Sequence, residues 1–394
     1  MDTLAKKLAE KDYLPIFTER FSATTWPERR EELRLLLEKY CYGKMPAFRG
    51  KVFAEVKHED HAAFAGKATQ RNIELSIETP QGLYRLPLFL VIPNAVKKPP
   101  VFLLSTFFNT LIDKFTPVEE VIDCGFALVS VFYEDISPDP HNGDFSSGLC
   151  GHLVTTDSNG KRAPETTGRI GVWAWCLSRI LDWLLTLDEL DAAHTAVIGH
   201  SRLGKTALWA AANDERFWCS IANDAGFGGD ACAKNGHGER VIDFINAGSW
   251  DWFCENFKND VGKEDFRLYD QHFLLALIAP RLLCIGSAAQ DRGADPEAQF
   301  LSALSASTVW ENLGTSGLVT PDRMPTPGES FSDGNIHFHL REGTHFLSRT
   351  DWNCYMDFLR NRNPSFCNTC LLYLKTSGSG NRKILCKPGA VAQP

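Results

Sequence analysis

Ser201 lies at the apex of Thr195-Ala-Val-Ile-Gly-His-Ser-Arg-Leu-Gly-Lys205, where a short run of β-branched and small apolar residues reaches Gly199 and a helical pattern opens at Leu203. A serine hydroxyl is a weak nucleophile. It gains power when a sharp strand-to-helix turn exposes its oxygen and a base within hydrogen-bond reach takes its proton. Gly199 and Gly204 bracket Ser201 as such a turn requires, with the closing glycine one place later than in G-x-S-x-G because Leu203 fills the usual slot. The alternative is a serine that caps a helix after a buried strand.

A nucleophilic serine needs a base and an acid to orient that base, and in this strand order both follow it in the chain. Arg341-Glu-Gly-Thr-His345 comes after the last strand-like run and just before a helical pattern near Thr350. Of 11 histidines, only His345 combines that position with a glycine-containing loop. His337 and His339 alternate within the preceding strand and read as structural, and His272 heads an apolar helix. Two aspartates compete to orient the imidazole. Asp224 lies in Ala222-Asn-Asp-Ala-Gly-Phe-Gly-Gly229 and Asp291 in Gln290-Asp-Arg-Gly-Ala-Asp-Pro296, both loops opening at the carboxyl ends of neighbouring strands. Position favours Asp291 slightly, and the other is expected to cap a helix or close an Asx-turn. Asp295, followed by Pro296, reads as a helix start.

These residues need a scaffold, and the apolar runs supply one. Residues 26–40 predict a helix with Pro27 in its first turn and Gly43 at its end. Asn72 to Pro93 predicts an edge hairpin turning at Gln81-Gly82. Val101–Ser105 and Phe126–Phe132 are continuous apolar runs, as buried parallel strands are, and Thr106-Phe-Phe-Asn-Thr110 follows the first where a second oxyanion donor belongs. Ile170–Leu187 predicts a helix apolar on most sides, and further strands are expected at Phe217–Ala222, Arg281–Gly286 and Ile336–Leu340. Alternating strands and helices imply an α/β architecture with a mostly parallel central sheet flanked by helices. Residues 136–168, rich in Pro, Gly, Asp, Ser and Thr without a period, read as an insertion over the site. Trp250 to Phe257 is aromatic-rich and reads either as a pocket wall containing Trp250 and Trp252 or as a satellite core cluster. The expected organisation is a helical extension over 1–71, a catalytic domain over 72–375 and a disordered tail over 376–394.

Composition narrows the function classes. The 394 residues carry 41 basic and 49 acidic side chains, a net charge of −8, without a basic run that would engage nucleic acid or an anionic membrane. The first residues are charged throughout and no apolar run is long enough to span a bilayer, so the expectation is a cytoplasmic protein, monomeric by default. The 12 cysteines are scattered, several within strands or helices, and are expected to be reduced. Cys367-Asn-Thr-Cys370 has no second pair at metal spacing, so neither metal nor organic cofactor is expected.

Gly-His-Ser-Arg-Leu-Gly-Lys-Thr-Ala-Leu-Trp, the Trp-Ala-Trp-Cys-Leu-Ser-Arg helix before it, Asp270-Gln-His with Leu277-Ile-Ala-Pro-Arg281, and Gly343-Thr-His345 form a combination of stretches. Together they resemble the glucuronoyl esterases, carbohydrate esterase family fifteen, of the α/β-hydrolase superfamily. The likeness spans most of residues 26–360. It implies an α/β-hydrolase fold, Ser201 as nucleophile, His345 as base, and Asp224 and Asp291 at the two positions where the family carries its acid. It also implies Arg202 as the arginine at the oxyanion and Lys205 as the lysine that holds uronate hydroxyls. Arg202 follows the nucleophile, so its backbone N–H belongs to the oxyanion hole. Departures are Gly293, where many bacterial members have tryptophan, Phe227 for a frequent cysteine, Asp251 for a frequent histidine and Lys234-Asn235 for a frequent arginine pair.

The expectation is therefore a serine carboxylic-ester hydrolase acting on a glucuronate or related polar carbohydrate ester. A small-molecule or oligosaccharide ester is the expected partner. A broad carboxylesterase or acetyl esterase is the first alternative, and an idle fold kept for binding is the second.

Overall fold

The computed structural model describes residues 3–18 and 23–363. Two units divide after Phe358, and every residue of the site below belongs to the first. Among the described residues ten strands form one sheet: β1 Val52–Ala63, β2 Ala68–Thr79, β3 Gly82–Pro93, β4 Pro100–Thr106, β5 Ala127–Phe132, β6 Asp191–His200, β7 Cys219–Asn223, β8 Leu282–Ala288, β9 Glu329–Phe331 and β10 Ile336–Arg341. Their spatial order is β1-β2-β3-β5-β4-β6-β7-β8-β10-β9. From β5 to β10 all neighbours are parallel, whereas β1, β2, β3 and β9 pair antiparallel at the two sides.

Burial explains that split. Strands β4, β7 and β8 are buried at every residue, because helices cover both faces of a parallel sheet and leave no polar side. The helix Arg169–Leu184 is buried at every position except Asp182, as its all-round apolar sequence requires. Strand β1 is the converse. It is exposed along almost its whole length and carries Glu55, Lys57, His58, Glu59 and Asp60, charges that discourage a sheet edge from pairing with another chain. It lies inside the stretch expected to be a helical extension.

The expected helices and strands from Val101 onward appear within a few residues of their predicted bounds. The segment 136–168 leads from a short helix Tyr133–Ile136 to the helix Arg169–Leu184 and contains a short helix of its own at Gly148–Leu153. The described cysteines form no disulfide with one another, and most of them are buried. The predicted disordered tail and Cys367-Asn-Thr-Cys370 lie outside the described residues. Among those described, no helix is long and apolar enough to cross a membrane.

The topology brings four loops to one end of the sheet. Strands β6, β7, β8 and β10 are parallel and adjacent, and their carboxyl ends lead to Ser201, Asp224, Asp291 and His345.

Candidate active site

Ser201 occupies φ 57°, ψ −127°, a backbone region that costs a non-glycine residue roughly 1–3 kcal/mol. The turn is held by its neighbours. Ser201 N–H donates to the Asn223 carbonyl at 2.9 Å, and the Ser201 carbonyl accepts from the N–H groups of Gly204 and Lys205 at 2.9 and 3.1 Å. A Cβ at Gly199 would fall 2.1 Å from the Leu203 carbonyl oxygen, so strand and helix can approach this closely only over glycine. Although Ser201 stands at the N-cap of the helix Arg202–Asn213, its side chain makes no capping bond. That removes the simple capping role.

His345 Nδ1 and Asp291 Oδ2 share a hydrogen bond of 2.6 Å. The other Asp291 oxygen accepts from Ala294 N–H at 3.3 Å, and the His345 side chain is 45% exposed, open to a ligand. Burial works to raise the Asp291 carboxyl, but the hydrogen bond and charge of His345 outweigh it and hold it below the ordinary 3.8. His200 stacks obliquely on His345 with ring centres 4.4 Å apart, and its Nδ1 shares a hydrogen bond of 2.7 Å with Asn223 Oδ1. Burial, then the neighbouring His345, pushes His200 down to about 3, so it stays neutral and adds no competing charge.

Asp224 sits differently. Its Oδ1 accepts from Ala288 N–H at 2.9 Å and its Oδ2 from Arg341 Nη2 at 3.2 Å. Burial drives its carboxyl well above the ordinary range, with Arg341 opposing. One donor atom each from Asp224, Asp291 and His345 lies within 4.8 Å of the others. Both acids therefore reach the imidazole's neighbourhood, and the structure bonds one of them to it.

Arg202 is clamped from two sides. Nη1 donates to Asp139 Oδ2 at 2.7 Å, and the guanidinium carbon lies 4.2 Å from the Trp252 ring centre. Trp252 Nε1 donates to both Asp139 oxygens at 3.0 Å, and the Asp139 side chain is fully buried. Asp139 comes from the irregular 136–168 segment, where sequence offers no period to place it, and was not foreseen. Arg169, the first residue of the helix Arg169–Leu184, donates from Nε to Asp251 Oδ2 at 3.0 Å behind it, and no sequence pattern singled it out.

The remaining expected residues are placed unequally. Lys205 is buried and donates from Nζ to the Ala225 carbonyl; burial lowers its pKa while Glu239, Asp230 and Asp291 pull it upward. Trp250 turns to an adjoining cleft with Asn142, Asn159 and Lys161, and Lys258 Nζ sits 3.8 Å from its ring centre. At Gly293 an added Cβ would meet only Asp291 Oδ1 at 3.7 Å and Glu239 Cγ at 3.9 Å, so the backbone leaves room there. His337, His339 and Cys354 form a second group with metal-ligand atoms in range. In both groups ring nitrogens are already engaged: His337 Nε2 with His339 Nδ1 at 2.9 Å, and His345 Nδ1 with Asp291.

Known proteins resemble this chain over most of its length. Residues 162–314 match the family described as fungal glucuronyl esterase. The chain is 33% identical over 377 residues to a carbohydrate esterase of an unknown prokaryotic organism, across 86% of this chain and 85% of that one. A solved promiscuous esterase of carbohydrate esterase family 15, from a marine bacterial metagenome, superposes with a TM-score of 0.77 at 32% identity, covering 86% of this chain and 93% of that one. A glucuronoyl esterase from Solibacter usitatus gives 0.75 at 32%, covering 86% and 94%. With its mostly parallel α/β-hydrolase sheet and this extent of identity, the chain belongs to carbohydrate esterase family 15, the glucuronoyl esterases, and is a carboxylic ester hydrolase.

Proposed function

We propose that the protein is a serine esterase that cleaves esters of glucuronic acid, or of a closely related uronate, through an acyl-enzyme. The observation that carries this reading is the 2.6 Å His345–Asp291 hydrogen bond at the same sheet end as the strained Ser201 turn, in a chain of this family. His345 takes the Ser201 proton as Oγ adds to the ester carbonyl. The negative charge that develops on the carbonyl oxygen rests on backbone N–H groups and on Arg202. Collapse expels the alcohol with the proton from His345, and water repeats the sequence to free the uronic acid and restore the serine. Asp291 fixes the tautomer and stabilises the imidazolium. The family resemblance assigns Lys205 to the uronate hydroxyls, and Trp252 steadies the guanidinium of Arg202 at the oxyanion.

Arg202 can serve an oxyanion only if it is held, and Asp139 holds it. Asp139→Ala should lower kcat by about 10- to 100-fold with little change in KM, because misplacing a group by an ångström has that order of cost. A rise in KM alone would assign Arg202 to ground-state binding instead.

A broader carboxylesterase is the second reading, favoured by the open space at Gly293 beside Asp291. The deciding experiment is hydrolysis of benzyl glucuronate beside an aryl acetate, with wild type, Ser201→Ala and Gly293→Trp. Serine-dependent preference for the glucuronate supports the uronate reading; preference for the acetate replaces it with the broad one. An aromatic wall at 293 should lower KM for the glucuronate by about 2- to 10-fold and leave the acetate unaffected.

A further inference from the structure

Arg341 is the last residue of β10, and each nitrogen of its guanidinium is engaged. Nε donates to the two Asp351 oxygens at 2.9 and 2.8 Å. Nη1 donates to the Glu342 carbonyl at 3.0 Å, and Nη2 to Asp224 Oδ2 and the Thr344 carbonyl, both at 3.2 Å, and to the Phe346 carbonyl. Glu342, Thr344 and Phe346 are the loop on which His345 rides. One planar fork thus ties that loop to two buried carboxylates.

The anchor behind it is rigid. Asp351 also accepts from Ser348 N–H and Oγ, both at 2.6 Å, and pairs with His339 Nε2 at 2.7 Å. His339 is bonded to His337 at 2.9 Å, and His337 to Ser332 at 2.9 Å. Arg341 is therefore fixed from the side of the helix Arg349–Arg362 and acts forward onto the loop and onto Asp224.

Proximity does not choose between the two aspartates, because a donor atom of each lies within 4.8 Å of the other and of His345. Closing the remaining gap to a hydrogen bond takes a shift of only about 2 Å, within the reach of a side-chain rotation. What separates them is bonding. Both Asp224 oxygens are taken, one by Ala288 N–H and one by Arg341, whereas Asp291 Oδ2 is left to the imidazole.

We propose that Arg341 is a positioning residue that selects the acid of this esterase, withdrawing Asp224 from His345 by pairing with it, leaving Asp291 to orient the imidazole, and fixing the loop that carries His345. The inference rests on the Ser201–His345–Asp291 reading above. A lysine at 341 would keep the charge but lose the fork. A glutamine would lose the charge and free Asp224 to turn toward His345.

The test measures aryl acetate turnover in two backgrounds. With Arg341 present, Asp291→Asn should cost far more than Asp224→Asn. With Arg341→Gln, Asp224 should become necessary: adding Asp224→Asn to the Asp291→Asn, Arg341→Gln double variant should remove a further tenfold or so of the residual rate. A purely structural role for Arg341 would slow all variants and leave Asp224 silent in both backgrounds, and that result overturns the proposal. Arg341→Lys provides the second measurement if the glutamine variant does not fold. It should keep Asp224 silent yet lower kcat by about tenfold at unchanged KM, because the three loop carbonyls lose their fork; wild-type kcat would remove the clamp. Failure of the parent reading looks different, since Asp291→Asn would then be harmless with Arg341 intact.

Discussion

Ser201→Ala is expected to reduce turnover of any ester this protein cleaves by a factor on the order of 10⁶, leaving only what the oxyanion donors and binding supply. The expectation is sharp because the substitution touches little else. The Ser201 side chain makes no capping bond to the helix it precedes, and the turn is held by backbone bonds from Asn223, Gly204 and Lys205 that alanine keeps. Alanine also tolerates φ 57° no better than serine, so the two proteins should melt together. Glycine has no such penalty. Ser201→Gly should be equally inactive but more stable than wild type by about 1 kcal/mol, the signature of strain kept for function. The measurements are steady-state rates, fluorophosphonate labelling followed by mass spectrometry, and denaturant midpoints. Substantial residual turnover in Ser201→Ala, or a label on another residue, would sink the nucleophile assignment.

Some of this was legible in the sequence because the physics that fixes it is local. Continuous apolar runs mark β4 and β5, since a strand covered on both faces has no polar side to alternate. The glycines about Ser201 mark the turn because the approach of Gly199 to the Leu203 carbonyl forbids a side chain. His345 follows from its place after the last parallel strand. What escaped was non-local. Asp139 lies in a segment with no period, so nothing in its neighbours could say that it faces Arg202. Strand β1 was missed because it is exposed on both faces and its few apolar residues, Val52, Phe53, Ala54 and Val56, give way to charge from Lys57 to Asp60, so no face carries an apolar stripe. Lys205, placed by its spacing on the first helical turn after Ser201, is buried with its ammonium on the Ala225 carbonyl, a contact from twenty residues away that no local pattern announces. The choice between Asp224 and Asp291 was closed to sequence for a further reason. Spacing brings two carboxylates near one imidazole, whereas hydrogen-bond partners decide which is free, and here that partner is Arg341, more than a hundred residues beyond Asp224 in the chain.

The two aspartates should therefore exchange readouts. Asp291→Asn keeps the shape but turns an acceptor into a group that favours the wrong imidazole tautomer, and kcat should fall by a factor on the order of 10⁴ with little change in stability. Asp224→Asn leaves His345 alone and weakens the pairing with Arg341, a buried charged contact. It should cost about 1–3 kcal/mol of stability and little in kcat. The pH dependences differ in sign as well. Asp291 is held below 3.8 by His345, so its pairing is complete above the ordinary carboxylate range and is lost only as pH falls through that depressed value. Asp224 is raised by burial among Asp291, Asp351 and Asp230, with Arg341 opposing, so the folded state holds its proton more tightly than the unfolded chain. Its contribution to stability is full below the ordinary carboxylate value and declines as pH rises toward the elevated one, a slope that Asp224→Asn should abolish. Stability measured against pH for the two variants, beside kcat against pH for wild type, separates the roles. If Asp224→Asn removes most of kcat at neutral pH and Asp291→Asn leaves it near the wild-type value, Asp224 is the orienting acid and the assignment of Asp291 is wrong.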